Sequence, residues 1–270
     1  MRELTSPQNP EIKAASKLKE RRDREREGRF LIEGARELSR ALQGGVALET
    51  VYACPPLLGD EGREVLASLS GPEVVLVSEA ALGKLSVREN PDGLVGVAPL
   101  LRRGLPDLPA QVLVLVLVGL EKPGNLGALL RTADGAGADA VIVAGRGVDL
   151  YGPNVIRASQ GSVFTQNVLS LSEEAALAYL REQGAELFAL TPEAGVTYWS
   201  ADLRGKVALA LGTEHEGLPP AWKAAARHLL SIPMRGAADS LNVATAGALV
   251  LYEALRQRGG ARSDSHCHRS

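Results

Sequence analysis

The feature of the sequence that most restricts its fold is the unbroken apolar run Val112–Val118, which reads VLVLVLV. A strand that is apolar at every position has to be covered on both faces, as in a parallel sheet flanked by helices. Strand and helix patterns alternate after this run. The predicted strands are 140–144, 187–190, 207–211 and 229–232, and the predicted helices are 125–136, 173–183, 219–226 and 241–257. The alternation predicts an α/β domain with a parallel sheet over residues 111–258.

The N-terminal region has a different pattern, which predicts a separate small α/β domain over residues 1–98. A charged, exposed helical segment follows the turn at Asn9-Pro10. Short strands are predicted at 30–32, 51–53, 74–77 and 94–98, with helices at 36–42 and 61–69. Residues 99–110 contain three prolines and a glycine and are predicted to be a linker, and residues 259–270 a flexible tail.

Cysteine content and hydropathy predict a cytoplasmic protein that does not enter a membrane. The two cysteines, Cys54 and Cys267, cannot make a disulfide framework. The N-terminus has no apolar segment of the secretory type, and no apolar run approaches the roughly 20 residues of a membrane span. We expect no metal at His266-Cys267-His268, because three ligands in a flexible tail rarely form a site.

The charge is unevenly distributed. The chain has a formal net charge of −2, yet residues 13–29 contain eight Lys or Arg against four acids, a local excess of +4. One interpretation is a basic surface that binds nucleic-acid phosphates. The other is a solvated helix whose opposite charges pair at i,i+4 spacing. Charge alone leaves both open.

Three predicted strand ends carry residues suited to a ligand site. The first is the glycine-rich loop and helix start from Gly119 to Arg131; it lacks the G-x-G-x-x-G of dinucleotide sites and the G-K-[ST] of nucleotide triphosphatases. The second, Gly212–Gly217, holds two acids and a histidine, which suit a metal, acid–base catalysis or helix capping. The third runs from Ile232 to Asn242, where Asp239 and Ser240 are also good helix caps.

Taken together, the three segments contain motifs in a defined order. They read Asn125-x-Gly127-x-x-x-Arg131, then Gly212-x-Glu214-x-x-Gly217, then Ile232-Pro233-Met234 followed by Ser240-Leu241-Asn242-Val243. This combination resembles the SpoU (TrmH-type) RNA 2′-O-ribose methyltransferases. The N-terminal region is similar to that family's substrate-binding domain, through Phe30–Arg36 and Leu85–Gly93. The resemblance covers about residues 5–258.

The resemblance implies a fold, a reaction and partners. It implies a parallel α/β catalytic domain with a trefoil knot, a small N-terminal domain like ribosomal protein L30e, and a homodimer with active sites near the subunit interface. The implied reaction is methyl transfer from S-adenosylmethionine, without a metal, to a ribose 2′-hydroxyl of structured RNA. Ribosomal RNA is favoured over tRNA, because a separate N-terminal domain suits a large structured substrate. The alternative is a non-catalytic RNA-binding protein with a degenerate methyltransferase fold, against which the intact motifs count.

The resemblance also implies residue roles. The implied cofactor-binding residues are Thr191, Leu211, Gly212, Ile232, Met234 and Leu241. The implied catalytic residues are Asn125, Arg131, Glu214, Ser240 and Asn242. The candidate RNA-binding residues are Lys13, Lys17, Arg21, Arg24, Arg36 and Arg88. Because a guanidinium is always charged at neutral pH, we expect Arg131 to stabilise the developing alkoxide rather than to accept its proton, with Glu214 orienting it or Asn125.

Overall fold

Strands form where β-branched and leucine side chains run together, and helices form where apolar side chains recur every three to four residues. The computed structural model describes residues 2–101, 103–145, 147–213 and 216–259. The strands are β1 (Arg2–Leu4), β2 (Arg29–Glu33), β3 (Thr50–Ala53), β4 (Glu73–Val77), β5 (Leu94–Pro99), β6 (Val112–Val118), β7 (Ala140–Ala144), β8 (Val168–Leu171), β9 (Glu186–Leu190), β10 (Val196–Thr197), β11 (Lys206–Leu211) and β12 (His228–Ser231). The helices are α1 (Pro10–Lys17), α2 (Arg21–Glu27), α3 (Ala35–Gln43), α4 (Asp60–Ser68), α5 (Glu79–Leu85), α6 (Pro123–Gly135), α7 (Pro153–Ala158), α8 (Ser162–Thr165), α9 (Glu173–Glu182), α10 (Pro220–Ala225) and α11 (Val243–Gln257). Short 3₁₀ turns cover Pro55–Leu57 and Tyr198–Ser200.

The second half of the chain contains the parallel sheet that the apolar run predicts. Over the described residues, seven strands pair in the order β10-β12-β9-β11-β6-β7-β8, and every pairing is parallel. All seven residues of β6 are buried. Alternate β6 side chains, such as Val114 and Val116, pack with Trp222 of α10 and the buried face of α9. Helices α6 and α11 lie on the opposite face, so the strand is covered on both sides as expected.

The contact between α6 and α11 depends on a glycine. A Cβ on Gly247 of α11 would lie 2.3 Å from Cδ2 of Leu129 on α6, and 3.5 Å from Cδ2 of Leu211 on β11. Only a residue without a side chain lets the two helices approach this closely. The helix faces that meet are otherwise leucine, valine and alanine, such as Leu130 and Val250.

The N-terminal unit contains a mixed sheet in the order β1-β4-β3-β5-β2, within the residues that the structure describes. Strands β1, β4 and β3 run parallel, whereas β5 is antiparallel to both β3 and β2. Helices α1 and α5 pack on one face through Ile12, Ala15, Leu82 and Leu85. The charged segment after Asn9-Pro10 consists of two short helices, because α1 ends at Lys17 before α2 begins.

One segment lies in a different unit from the one expected. Residues Val148–Gln166 belong to the compact unit of Met1–Arg103, although the sequence pattern placed them in the domain spanning 111–258. They are held there by an ion pair between Arg24 and Asp149, whose side chains are 5% and 20% exposed, and by rings that pack on Phe30. The centroids of the Tyr151 and Phe164 rings lie 4.7 and 5.9 Å from that of Phe30. The partners are over a hundred residues apart, so no local pattern indicates this assignment.

Candidate active site

A cavity of about 400 Å³ opens at the carboxyl ends of β9, β11 and β12, where ligands bind in open α/β sheets. The loop before α11 and the first turns of α11 complete its wall. Its aliphatic lining residues are Leu190, Leu211, Leu230, Ile232, Leu241 and Val243. Its polar lining side chains are Thr191, Glu193, Thr213, Glu216, Lys223, Asp239 and Ser240. The cavity is therefore amphipathic, with an apolar wall and several charged groups.

The residues predicted to bind the cofactor come together here. All six line this cavity: Thr191, Leu211, Gly212, Ile232, Met234 and Leu241. They come from three strand ends and one loop, up to 50 residues apart in the sequence. Thr191 and Leu211 are buried, whereas Met234 is 36% exposed at the surface.

The glycine at position 212 is required by the chain itself. A Cβ there would lie 2.1 Å from the carbonyl oxygen of Gly217. The loop closes on itself through a bridge between Thr213 and Gly217, whose backbone N–H groups each donate to the other's carbonyl, at 3.2 and 3.1 Å. Gly217 takes a φ of +67°, in the left-handed region. Close backbone approach at this position thus shapes the cavity wall before any ligand enters.

Two charged lining residues were not predicted from the sequence. The Thr191 hydroxyl donates to Oε2 of Glu193, and the Lys223 ammonium lies 3.6 Å from the same oxygen. The hydroxyl, the residue's own backbone and the ammonium together lower the pKa of Glu193 below its ordinary value. The sequence could have indicated Glu193 only as an acid three residues beyond a predicted strand end. Its partner Lys223 is thirty residues further along the chain.

Two predicted catalytic asparagines are in contact. The side-chain amide of Asn242 donates to Oδ1 of Asn125 at 3.3 Å. Asn125 lies in the first turn of α6, and Asn242 caps α11 by accepting a hydrogen bond from the backbone N–H of Ala244. The cap is therefore Asn242 rather than Asp239 or Ser240. Ser240, two residues earlier, lines the cavity, so the first and third motifs meet beside it.

Arg131 lies apart from this group. It is exposed on α6 and does not line the cavity. Arg131 follows Asn125 by six residues, so helix geometry places it about 9 Å further along the axis and about 240° around it. Glu214, the remaining predicted catalytic residue, and its neighbour His215 lie outside the described residues.

Two of the candidate RNA-binding residues, Arg24 and Arg88, make contacts within the protein, and the burial of Arg24 contradicts its prediction. Arg24 is 4% exposed; it donates to the carbonyl oxygens of Leu18 and Lys19 and pairs with Asp149. Such a buried side chain cannot reach a phosphate. A run of charges in a sequence does not reveal which member faces the core.

Arg88 has a similar structural role. Its guanidinium pairs with Glu37 at 3.0 Å and Asp92 at 3.3 Å, and donates to the Glu33 carbonyl oxygen. Burial raises the pKa of Glu37, against the opposing effect of Arg88. The two segments that resembled the substrate-binding domain are thus joined to each other through these contacts.

The other four candidates, Lys13, Lys17, Arg21 and Arg36, are exposed. Lys13 and Lys17 are four residues apart and share one face of α1. Arg21 pairs with Glu25 at 2.7 Å, as the interpretation with i,i+4 pairs expects. Phosphate binding by the exposed cations stays a prediction.

No group of three or more His, Cys, Asp or Glu suited to a metal ion occurs in the described part of the chain. Over the same residues, no helix combines the length and apolarity needed to cross a bilayer.

Comparison with known proteins identifies the family. The SpoU rRNA Methylase family model matches residues 112–252, and the MRM3-like substrate binding domain matches residues 9–96. The chain belongs to the SpoU rRNA methylase family. The resemblance read from the three motifs is confirmed, as is the parallel α/β fold class; the trefoil knot stays a prediction.

Relatives of SpoU type align over nearly the whole chain. A solved RNA 2′-O ribose methyltransferase is 52% identical, with a TM-score of 0.85 over 95% of this chain and 99% of its own. An AdoMet-bound rRNA methyltransferase from Sinorhizobium meliloti is 32% identical, with a TM-score of 0.86 over 94% and 97%. The 23S rRNA (uridine(2479)-2′-O)-methyltransferase of Streptomyces viridochromogenes is 31% identical over 91% of this chain and 89% of its own.

Proposed function

We propose that the protein is a cytoplasmic enzyme that transfers a methyl group from S-adenosylmethionine to a ribose 2′-hydroxyl of ribosomal RNA. One observation carries the proposal. Six residues implied by the family resemblance to bind the cofactor line a single cavity, beside the contact between Asn125 and Asn242. The Sinorhizobium and Streptomyces relatives are named as rRNA methyltransferases, which supports ribosomal RNA as the substrate.

The cavity suits the cofactor. Its volume falls in the range of small-ligand sites, and its aliphatic wall suits the apolar faces of the flat adenine ring. Charged side chains at the same cavity suit the polar parts of the molecule. When bound, S-adenosylmethionine supplies a methyl group on a sulfonium, ready for attack by a nucleophile in line with the breaking bond.

The residues beside the cavity suit the ribose. Asn125, Asn242 and Ser240 offer amide and hydroxyl groups that can hold a 2′-hydroxyl in one orientation, which lowers the entropic part of the barrier. The contact between the asparagines also brings together the N-terminal ends of α6 and α11. The partial positive charge at these ends stabilises negative charge as it develops on the ribose oxygen.

A homodimer explains the position of Arg131. Gly135 follows Arg131 by one helical turn, and the Tyr252 hydroxyl lies 3.2 Å from where a Cβ on Gly135 would be. Tyr252 is 52% exposed, and Leu249, three residues earlier on α11, is 38% exposed. Arg131 therefore shares a surface with exposed apolar side chains. Burying this face against its copy would bring Arg131 toward the partner's cavity.

Substrate RNA binds the N-terminal unit in this proposal. Lys13 and Lys17 on α1 and Arg36 at the start of α3 present exposed cations. The contacts of Arg88 with Glu37 and Asp92 fix the adjoining loop, so Arg88 helps to shape this surface.

Binding and transfer assays on the full chain test the proposal. Calorimetry should show S-adenosylmethionine binding, with no binding of NADH. Transfer of tritiated methyl groups to unmethylated 23S rRNA should then occur, and Asn125→Ala should abolish transfer while cofactor binding persists. RNA binding without any transfer by the wild type would support the non-catalytic alternative instead.

A further inference from the structure

Glu193 is a charged side chain at the cavity to which the proposed function gives no individual role. Glu193 follows the end of β9 by three residues and is held at Oε2 by the Thr191 hydroxyl and the Lys223 ammonium. Its other oxygen, Oε1, accepts no hydrogen bond from a second residue among those described. The side chain is 74% exposed. The carboxylate is therefore positioned through one oxygen and available through the other.

We propose that Glu193 recognises the cofactor's ribose, by accepting hydrogen bonds from its 2′- and 3′-hydroxyls at Oε1. This inference rests on the proposed cofactor cavity. It makes Glu193 a specificity residue for nucleosides that carry an intact diol, and Thr191 and Lys223 its positioning residues.

The neutral diol fits this group better than the other polar parts of the cofactor do. Lys223 lies 3.6 Å from Oε2 and already offsets the carboxylate charge, which weakens its attraction for the α-ammonium or the sulfonium. Neutral hydroxyl donors need only an oriented acceptor, and Oε1 receives no hydrogen bond from a second residue among those described. An acid placed just after a parallel strand to accept a ribose hydroxyl is a general solution in α/β folds.

The charge state of Glu193 is suited to this role. The Thr191 hydroxyl, the backbone and Lys223 lower its pKa from an ordinary value of 4.5, so the group is an anion at neutral pH. A charged acceptor makes hydrogen bonds about twice as strong as a neutral one. Thr191 is itself buried, so the anchor at Oε2 is fixed before the ligand arrives.

Calorimetry with truncated ligands on the full-length protein tests the inference. The ligands are S-adenosylhomocysteine, 5′-methylthioadenosine, which lacks the amino-acid end, and the 2′,3′-dideoxy form of methylthioadenosine. Glu193→Ala should weaken the first two alike, by roughly tenfold to a hundredfold in Kd, the loss expected for hydrogen bonds to a charged group. It should change the Kd of the dideoxy ligand by less than about twofold, because that ligand offers no diol to lose.

Two control variants separate the possible failures. Glu186→Ala removes an exposed carboxylate that also pairs with a cation, Arg227, but lies outside the cavity, and it should leave every Kd unchanged. Leu241→Trp fills the cavity and should abolish binding of all three ligands. If Leu241→Trp leaves binding intact while its unfolding curve shows a native fold, the cavity is not the cofactor site and the proposed function fails.

If Leu241→Trp abolishes binding but Glu193→Ala has no effect, only the present inference is overturned. An effect of Glu193→Ala on S-adenosylhomocysteine without one on methylthioadenosine would assign Glu193 to the amino-acid end and equally overturn it.

Discussion

Mixed dimers of two inactive variants test where Arg131 acts. Arg131→Ala and Asn125→Ala are each expected to abolish methyl transfer. Removing one preorganised charge or hydrogen-bonding group at a reaction centre typically costs about 10²–10³ in rate. The question is whether the two residues serve the same site from one chain or from two.

The structure favours two chains. Within one chain, Arg131 lies about 9 Å along the helix from Asn125 and about 240° around it. It is exposed and shares a surface with Tyr252 rather than with the cavity. In a heterodimer of the two variants, the subunit that keeps Asn125 would receive Arg131 from its partner. One of the two sites is then complete, so the heterodimer should show about half the wild-type rate.

Coexpression with two different affinity tags gives the heterodimer free of either parent. Single-turnover rates with saturating RNA and cofactor are then compared with those of both variant homodimers and of the wild type. If Arg131 acts within its own chain, neither site is complete and the heterodimer is as inactive as its parents. That result would refute the assignment of Arg131 to the partner's site. Sedimentation of Tyr252→Glu, which should be monomeric and inactive, checks that the Tyr252 surface forms the dimer.

Three further predictions concern stability and pH. Arg24→Met should lower the free energy of unfolding in urea by about 3–5 kcal/mol, because it leaves Asp149 unpaired; Lys17→Met should change it by less than about 0.5 kcal/mol. Gly247→Ala should lower the free energy of unfolding by about 1–3 kcal/mol, because the new Cβ would clash with Leu129. Gly83→Ala, where a Cβ meets open space, should raise it by up to about 1 kcal/mol. The Kd of Glu193→Ala for S-adenosylhomocysteine, divided by that of the wild type, should stay constant from pH 8 to about 5, because the lowered pKa of Glu193 keeps its carboxylate ionised there. This ratio should fall only in more acidic solution. Stability curves with matching midpoints for Arg24→Met and wild type, or a ratio that falls near pH 7, would contradict these assignments.

The sequence was most informative where structure depends on nearby residues. The run Val112–Val118 predicted a strand covered on both faces, and the structure has it inside a parallel sheet. The three motifs indicated the family, and the resemblance indicated six of the cavity-lining residues, which lie at or near strand ends. The carboxyl ends of parallel strands meet at one edge of a sheet, which brings together residues as distant as Thr191 and Leu241.

Prediction from sequence was weakest where a partner is distant. Arg24 was grouped with exposed cations because nothing near it in the chain indicates that Asp149 lies against it. The same long-range contact puts residues 148–166 in the N-terminal unit rather than the expected one. Glu193 was not predicted because its partner Lys223 lies on α10, thirty residues further along the chain. Charge and periodicity describe a side chain's chemistry, whereas burial and pairing depend on the tertiary fold.

Two adjacent residues connect the cavity proposed for the cofactor with the position proposed for the RNA ribose. Leu241 lines the cavity, and Asn242, the next residue, caps α11 and contacts Asn125. A ligand that holds Leu241 in place is therefore expected also to hold the Asn242 amide beside the proposed position of the RNA ribose.

We expect S-adenosylhomocysteine to tighten RNA binding, within the roughly 5- to 150-fold range typical of coupled sites, and RNA to tighten cofactor binding by the same factor. Asn242→Ala should reduce this coupling factor toward one. In the absence of RNA, the variant should bind S-adenosylhomocysteine within about threefold of the wild-type affinity, because the Asn242 side chain is not part of the cavity lining. Equal coupling in wild type and variant would mean that the two sites communicate by another route.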